Sequence, residues 1–274
     1  MLALIHPGQV SPTDPSSSVN NPPMTPELSI QAPIATLTLR RPAQANRLEP
    51  DDLQTLAAHL DTVNQNHDVR VLRLTATGSY FCSGFDIGQI GAARHVQAPV
   101  SFESLVDAME NARPVTVAVI QGGVYGGATD LALACDFRVG SRQIDMFMPA
   151  ARLGLHYYRS GLERYVQRLG LNAAKRLFLT AERLDAQAMY DMGFLTHLCQ
   201  ASELTVSADA LVNTLAQMAP LALLGMKKHL NQVARQALDT ASLSAAIAAC
   251  AQSADLREGA AAFAQRRAPR FNGN

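Results

Sequence analysis

Arg113–Phe137 reads RPVTVAVIQGGVYGGATDLALACDF, and its three parts decide the fold. Val115–Ile120 is a short run rich in Val and Ile, the mark of a buried strand. Gln121–Gly127 is a turn with glycine at 122, 123, 126 and 127. Ala128–Cys135 is small and apolar with one acid, Asp130, as suits a buried helix. Strand, glycine turn and helix together aim free backbone N–H groups from a helix N-terminus, where partial positive charge favours an anion. Gly126, Gly127 and Ala128 also leave the backbone open to close approach. The same pattern serves tight strand-to-helix packing, so both readings stand at this point. GGVYGG has neither the spacing of the dinucleotide fingerprint nor the Gly-Lys-Ser/Thr ending of a phosphate loop.

Working outward, the 274 residues suit one large domain with a smaller piece, and a 48% hydrophobic content fills a sizeable core. Lys and Arg total 23 and Asp and Glu total 23, so no field of one sign attracts nucleic acid or an anionic membrane. No apolar run approaches the roughly 20 residues of a membrane span. Cys82, Cys135, Cys199 and Cys250 are dispersed without a CxxC pair, which favours free thiols in a cytoplasmic protein over a zinc site, and no metal is expected.

Residues 1–32 carry six prolines with Ser and Asn and no period, and read as a flexible leader. Thereafter ATLTLR at 35–40 alternates like a strand, and 50–65 holds Leu53, Leu56, Ala57, Leu60 and Val63 at helical spacing behind Pro50. Another strand covers 71–74, followed by SYFCSGFDIGQI and a short helix near 102–111. Short strands are expected at 137–139 and 146–148, and alternation with helices argues for an α/β fold with mostly parallel strands. From Leu162 onward nearly everything carries helical spacing.

Four stretches now line up with one family. SYFCSGFDIGQI resembles the F-C-A-G-x-D-I segment of the crotonase superfamily, the enoyl-CoA hydratase/isomerase family. The 113–141 stretch resembles its K-P-V-I-A-A-V-x-G-x-x-x-G-G-G-x-E-L-A-L-A-C-D-x-R-I-A-S, LFLTAERLDAQAMYDMGFLTHL its T-G-x-x-x-x-A-x-E-A segment, and AFAQRRAPRF its F-x-x-K-R-x-P-x-F tail. The resemblance spans about 33–272. It implies a crotonase-like (ClpP/crotonase) spiral of ββα units over 33–205 and a helical C-terminal trimerisation region over 206–274, assembling as a homotrimer or dimer of trimers. It implies an acyl-CoA substrate, no tightly bound cofactor and a place in fatty acid metabolism. Two backbone N–H groups would form an oxyanion hole for the thioester oxygen, by matching position those of Ser83 and Gly127. Ser83, Gly84, Phe85 and Asp86 would line the coenzyme A path. Phe263, Arg266 and Arg267 match positions that reach its phosphate and adenine, often in a neighbouring subunit; a solvated tail is the other reading.

Departures from the pattern narrow the chemistry. Adding water to an enoyl thioester needs acid and base groups around a bound water, and hydratases of the family use two glutamates. The first position is Asp130, shorter by roughly 1.5 Å of reach, and an acid there equally suits the helix macrodipole. The second falls at Ala150, which carries no proton. LGLHYYRSGL replaces the family's flexible glycines with His156, Tyr157, Tyr158 and Arg159 and resembles the methylmalonyl-CoA decarboxylase branch. On that match Tyr157 would orient a substrate carboxylate, unless it only packs the pocket wall. Decarboxylation or isomerisation therefore ranks above two-glutamate hydration, with a non-catalytic thioester-binding subunit as the alternative. Phe85 and Tyr125 are expected to flank the oxyanion hole and keep the acyl pocket narrow.

Overall fold

The computed structural model describes residues 24–85 and 99–274. The larger of its two sheets carries the pattern read from the sequence. β1 (Glu27–Gln31) lies antiparallel to β2 (Ile34–Leu39), and β3 (Val71–Ala76), β5 (Val115–Ile120), β7 (Phe137–Ser141) and β10 (His197–Cys199) follow in parallel. A smaller sheet joins β4 (Tyr80–Cys82), β6 (Gly123–Tyr125) and β8 (Asp145–Phe147) in parallel, with β9 (Leu184–Asp185) antiparallel at its edge.

Each turn of the chain gives a long strand to the first sheet and a short strand to the second, and then in most cases a helix. β3 and β4 lead, beyond the undescribed 86–98, to α2 (Phe102–Glu110); β5 and β6 lead to α3 (Gly127–Ala134); β2 leads to α1 (Pro50–Gln65). This is the spiral of ββα units expected from the resemblance. β5 sits at its centre and is buried along its whole length. Its period-two alternation sends Ala118 and Ile120 into the larger core and Val115, Val117 and Val119 into a second cluster on the other face, as a central parallel strand requires.

Two expectations shift. The supposed leader ends earlier, because Leu28 and Ile30 alternate with polar residues and pack half-buried against the core, making β1 an edge strand; residues 1–23 lie outside those described. The glycine turn at 121–127 contains β6; Gly122 brings its backbone against Ser79 O, an approach no side chain there would permit, and Gly123 lies under the Tyr125 ring.

After β8 come α4 (Arg159–Leu169), α5 (Leu171–Thr180), α6 (Ala186–Asp191), α7 (Leu204–Ala216), α8 (Pro220–Ala234), α9 (Thr240–Gln252) and α10 (Ala254–Ala264). α7 straddles the expected boundary at 205/206: Leu204, Ala208, Val212 and Leu215 repeat every three to four residues and seal the second face of the large sheet. α8 to α10 extend beyond it. No helix among the described residues is long and apolar enough to cross a membrane.

Candidate active site

The carboxyl ends of β4 and β6 meet at two glycines. Gly84, with φ +96°, packs so closely that a Cβ there would lie 2.8 Å from Tyr125 O and 3.1 Å from the Gly127 nitrogen. Gly127 is the first residue of α3, behind Gly126 at φ 54°, so its amide has no acceptor within the helix. The two stretches singled out in the sequence are therefore in contact.

Ser83, expected as the second amide, has its N–H engaged. Its N–H donates to Ala45 O at 2.9 Å and is spent inside the fold. One peptide further on, Gly84 O accepts from Leu48 N at 2.8 Å, and Phe85 bridges Leu48 in parallel. A trans peptide points its C=O and N–H in opposite directions, so the Phe85 N–H turns away from Leu48. No described backbone carbonyl takes it. The amide left without a described backbone acceptor is thus two residues beyond Ser83, which is invisible in the sequence because which amides face inward depends on the partner loop. Asp86 lies outside the described residues.

Asp130 is fully buried on α3. Its Oδ1 accepts from Arg164 at 2.7 Å, and its Oδ2 accepts from the Tyr157 hydroxyl at 3.1 Å and from the Tyr158 hydroxyl. Arg164, itself fully buried, also binds Asp107 at 2.6 Å and Glu110 at 3.1 Å. Burial pushes the Tyr157 and Tyr158 phenols well up, and the Asp130 charge adds to it, so both hydroxyls stay protonated and donate. Burial would raise the Glu110 carboxyl, but Arg164 and the hydrogen bonds from Arg235 and Arg164 outweigh it and hold it below the usual range. Ala150 is buried, one residue after Pro149, whose Cδ lies 3.8 Å from where a Cβ on Gly126 would sit. His156 is exposed and its Nδ1 meets the Tyr157 carbonyl at 2.8 Å.

The aromatic wall differs from expectation. The Tyr125 hydroxyl donates to Asp145 at 2.8 Å and its ring lies against Phe147 at 4.8 Å and under Arg183, so the side chain leaves the glycine junction. Phe102 takes that place. A Cβ on Gly127 would be 2.8 Å from its Cζ, and its ring centroid is 6.0 Å from Phe85 and 6.4 Å from Tyr158. Sequence reading missed Phe102; its position directly after the helix-capping Ser101 on α2 was the available signal. Phe263 is 88% exposed, Arg266 is exposed, and Arg267 pairs with Glu258 at 2.6 Å. No described contact joins these three to the junction. A cleft of about 1090 Å³ lies elsewhere, between α8 and the amino ends of β3 and β5.

Comparison with known proteins agrees with this architecture. The family model for enoyl-CoA hydratase/isomerase matches residues 29–274. The enoyl-CoA isomerase/hydratase fer4 of Mycosarcoma maydis is 30% identical over 230 residues, covering 81% of this chain and 83% of that protein. The short-chain-enoyl-CoA hydratase of Clostridium acetobutylicum is 24% identical over 246 residues, covering 88% and 94%. A crystal structure of enoyl-CoA hydratase from Bacillus anthracis superposes with a TM-score of 0.81 at 24% identity, covering 91% of this chain and all of that one. With spiral, glycine junction and matched motifs in hand, this chain belongs to the enoyl-CoA hydratase/isomerase family, within the crotonase superfamily.

Proposed function

We propose that this protein acts on a short acyl-CoA thioester, holding the thioester oxygen between the amides of Phe85 and Gly127 while negative charge develops on it. Preorganised donors of this kind act in a water-poor site and need no reorganisation during the reaction. The relatives named above, which are hydratases and isomerases of enoyl-CoA, support the thioester as substrate.

One observation carries the choice of reaction: the carboxylate at the first family position, Asp130, already accepts from Arg164, Tyr157 and Tyr158, and the second position is Ala150. Hydration by two carboxylates lacks both of its groups. Decarboxylation requires neither. The bond to the substrate carboxylate breaks, CO₂ leaves, and the electron pair passes into the thioester as an enolate that the two amides stabilise. Solvent then protonates the α-carbon. Isomerisation ranks next, since it moves a proton between carbons and needs a base. Tyr157 enters this reading through Asp130, which it helps to fix, rather than by touching substrate.

The helices α8 to α10 would form the contacts of a homotrimer or a dimer of trimers, and Phe263, Arg266 and Arg267 would reach coenzyme A in a neighbouring subunit.

The test is a panel of malonyl-, methylmalonyl-, crotonyl- and 3-enoyl-CoA, with binding followed by calorimetry and products by mass spectrometry. Loss of CO₂ from the first two supports decarboxylation; hydration of crotonyl-CoA at comparable rates refutes it. Binding without conversion anywhere assigns the chain to the non-catalytic subunits. Gly127→Pro removes one N–H at the first helical position, but its ring needs the space that Phe102 fills; made together with Phe102→Ala, it is expected to lower kcat by about 10²–10³ relative to Phe102→Ala alone.

A further inference from the structure

The Gly84–Phe85 peptide is held from outside its own strand. Three bonds tie 82–84 to the loop at 45–48: Ser83 N–H donates to Ala45 O at 2.9 Å, Leu48 N–H to Gly84 O at 2.8 Å, and Cys82 Sγ to Asn46 O at 3.0 Å. Burial pushes the Cys82 thiol up to about 12, so it keeps its proton and donates. The loop is itself unusual. Ala45 and Asn46 are consecutive non-glycine residues in the left-handed region, at φ 51° and 52°. Such backbone persists only where its surroundings over-determine it, and it clusters at functional sites.

What over-determines it is the Asn46 side chain, 1% exposed. Its Oδ1 accepts from the Arg41 N–H at 2.8 Å, and its Nδ2 donates to Thr77 O at 2.8 Å and Tyr80 O at 2.9 Å. Thr77 and Tyr80 flank the turn into β4. One amide group thus joins the loop to both sides of the turn that launches β4, the strand that leads to Phe85. Only asparagine fits: it tolerates the left-handed conformation and supplies two donors and an acceptor on one short side chain.

We infer that Asn46 is a positioning residue for the oxyanion hole, setting through the 45–48 loop the direction in which the Phe85 N–H points. The inference rests on the function proposed above. A donor displaced by a fraction of an ångström still leaves a folded protein that binds thioester, but one that polarises it poorly.

Asn46→Asp keeps shape and acceptor and loses both donors. The probe is 4-(dimethylamino)cinnamoyl-CoA, whose absorption moves to longer wavelength when its carbonyl is polarised. The unaltered protein is expected to shift the bound probe; Asn46→Asp is expected to bind it with the shift reduced. On the thioester that the unaltered protein turns over fastest, kcat should fall about 10- to 100-fold with KM within about threefold. Mere loss of stability would leave the shift per bound probe unchanged. Folded Asn46→Asp with undiminished shift and kcat overturns the inference. If that variant does not fold, Asn46→Gly, which adopts the left-handed backbone freely, takes its place with the same expectation; failure of both to fold makes Asn46 purely structural and also overturns it. No shift in the unaltered protein would instead overturn the proposed oxyanion hole.

Discussion

Phe102 sets the shape of the space in front of Gly127. Its ring presses on the glycine backbone and stands between Phe85 and Tyr158, leaving room for short or flat acyl groups. Phe102→Ala is expected to raise kcat/KM for an eight-carbon acyl thioester relative to a four-carbon one by about tenfold, the scale on which a few methylenes discriminate. An unchanged ratio would place the acyl group elsewhere. Tyr157 and Tyr158 make a second case. Burial and the neighbouring Asp130 charge hold their phenols above the ordinary tyrosine range. The pH profile of kcat should therefore show no phenol ionisation below about pH 10, and Tyr158→Phe should not alter its alkaline side. At this level the sequence named Gly127, Asp130, Tyr157 and Ala150, and the fold puts Tyr157 in hydrogen-bond contact with Asp130 on the helix that Gly127 begins. It did not show that the Ser83 amide is spent on Ala45 O or that Tyr125 turns to Asp145, because a backbone donor is free or spent, and a ring turns in or out, according to partners remote in the chain.

α2 and α4 meet across α3 through charge. Asp107 and Glu110 share a face of α2 at a three-residue spacing, Arg164 and Arg168 share a face of α4 at four, and Asp130 comes from α3 between them. A buried group of this kind adds little net stability, but removing one partner strands the rest. Arg164→Leu is expected to cost about 3–5 kcal/mol, read as a lower urea midpoint, with part recovered by adding Asp130→Asn. The pH dependence follows from Glu110. Its carboxyl titrates lower in the folded protein than unfolded, so its contribution is complete above the unfolded value of 4.5 and is lost as pH falls through the folded one. Melting temperature should drop on acidification below about pH 4.5, and more shallowly in Glu110→Gln. α4 was legible from its period and α3 from its small apolar residues; the spacings of the charges were equally visible, but not which helix would face which.

The assembled molecule leaves α8 to α10 with apolar side chains in solvent. Met226 is 60% exposed, Leu230 68%, Val233 55% and Ile247 61%, on a surface with an apolar groove between α8 and α9. Contiguous exposure of this kind marks a contact surface. Sedimentation is expected to give a trimer or a multiple of three, and Met226→Glu with Leu230→Glu to give monomer; a monomeric unaltered protein would remove that reading and with it the neighbour's claim on Phe263, Arg266 and Arg267. The sequence by itself determined the family, the alternation of strands with helices, and the alanine at the second glutamate position, because hydrophobic period, glycine placement and residue identity are local properties. Only the tertiary structure decided that Asp130 is held by an arginine 34 positions away, that Phe102 rather than Tyr125 lies against Gly127, and that the Ser83 amide is spent on Ala45 O. Those depend on which groups meet across the spiral, and a buried polar group is committed or free according to the partner it finds there.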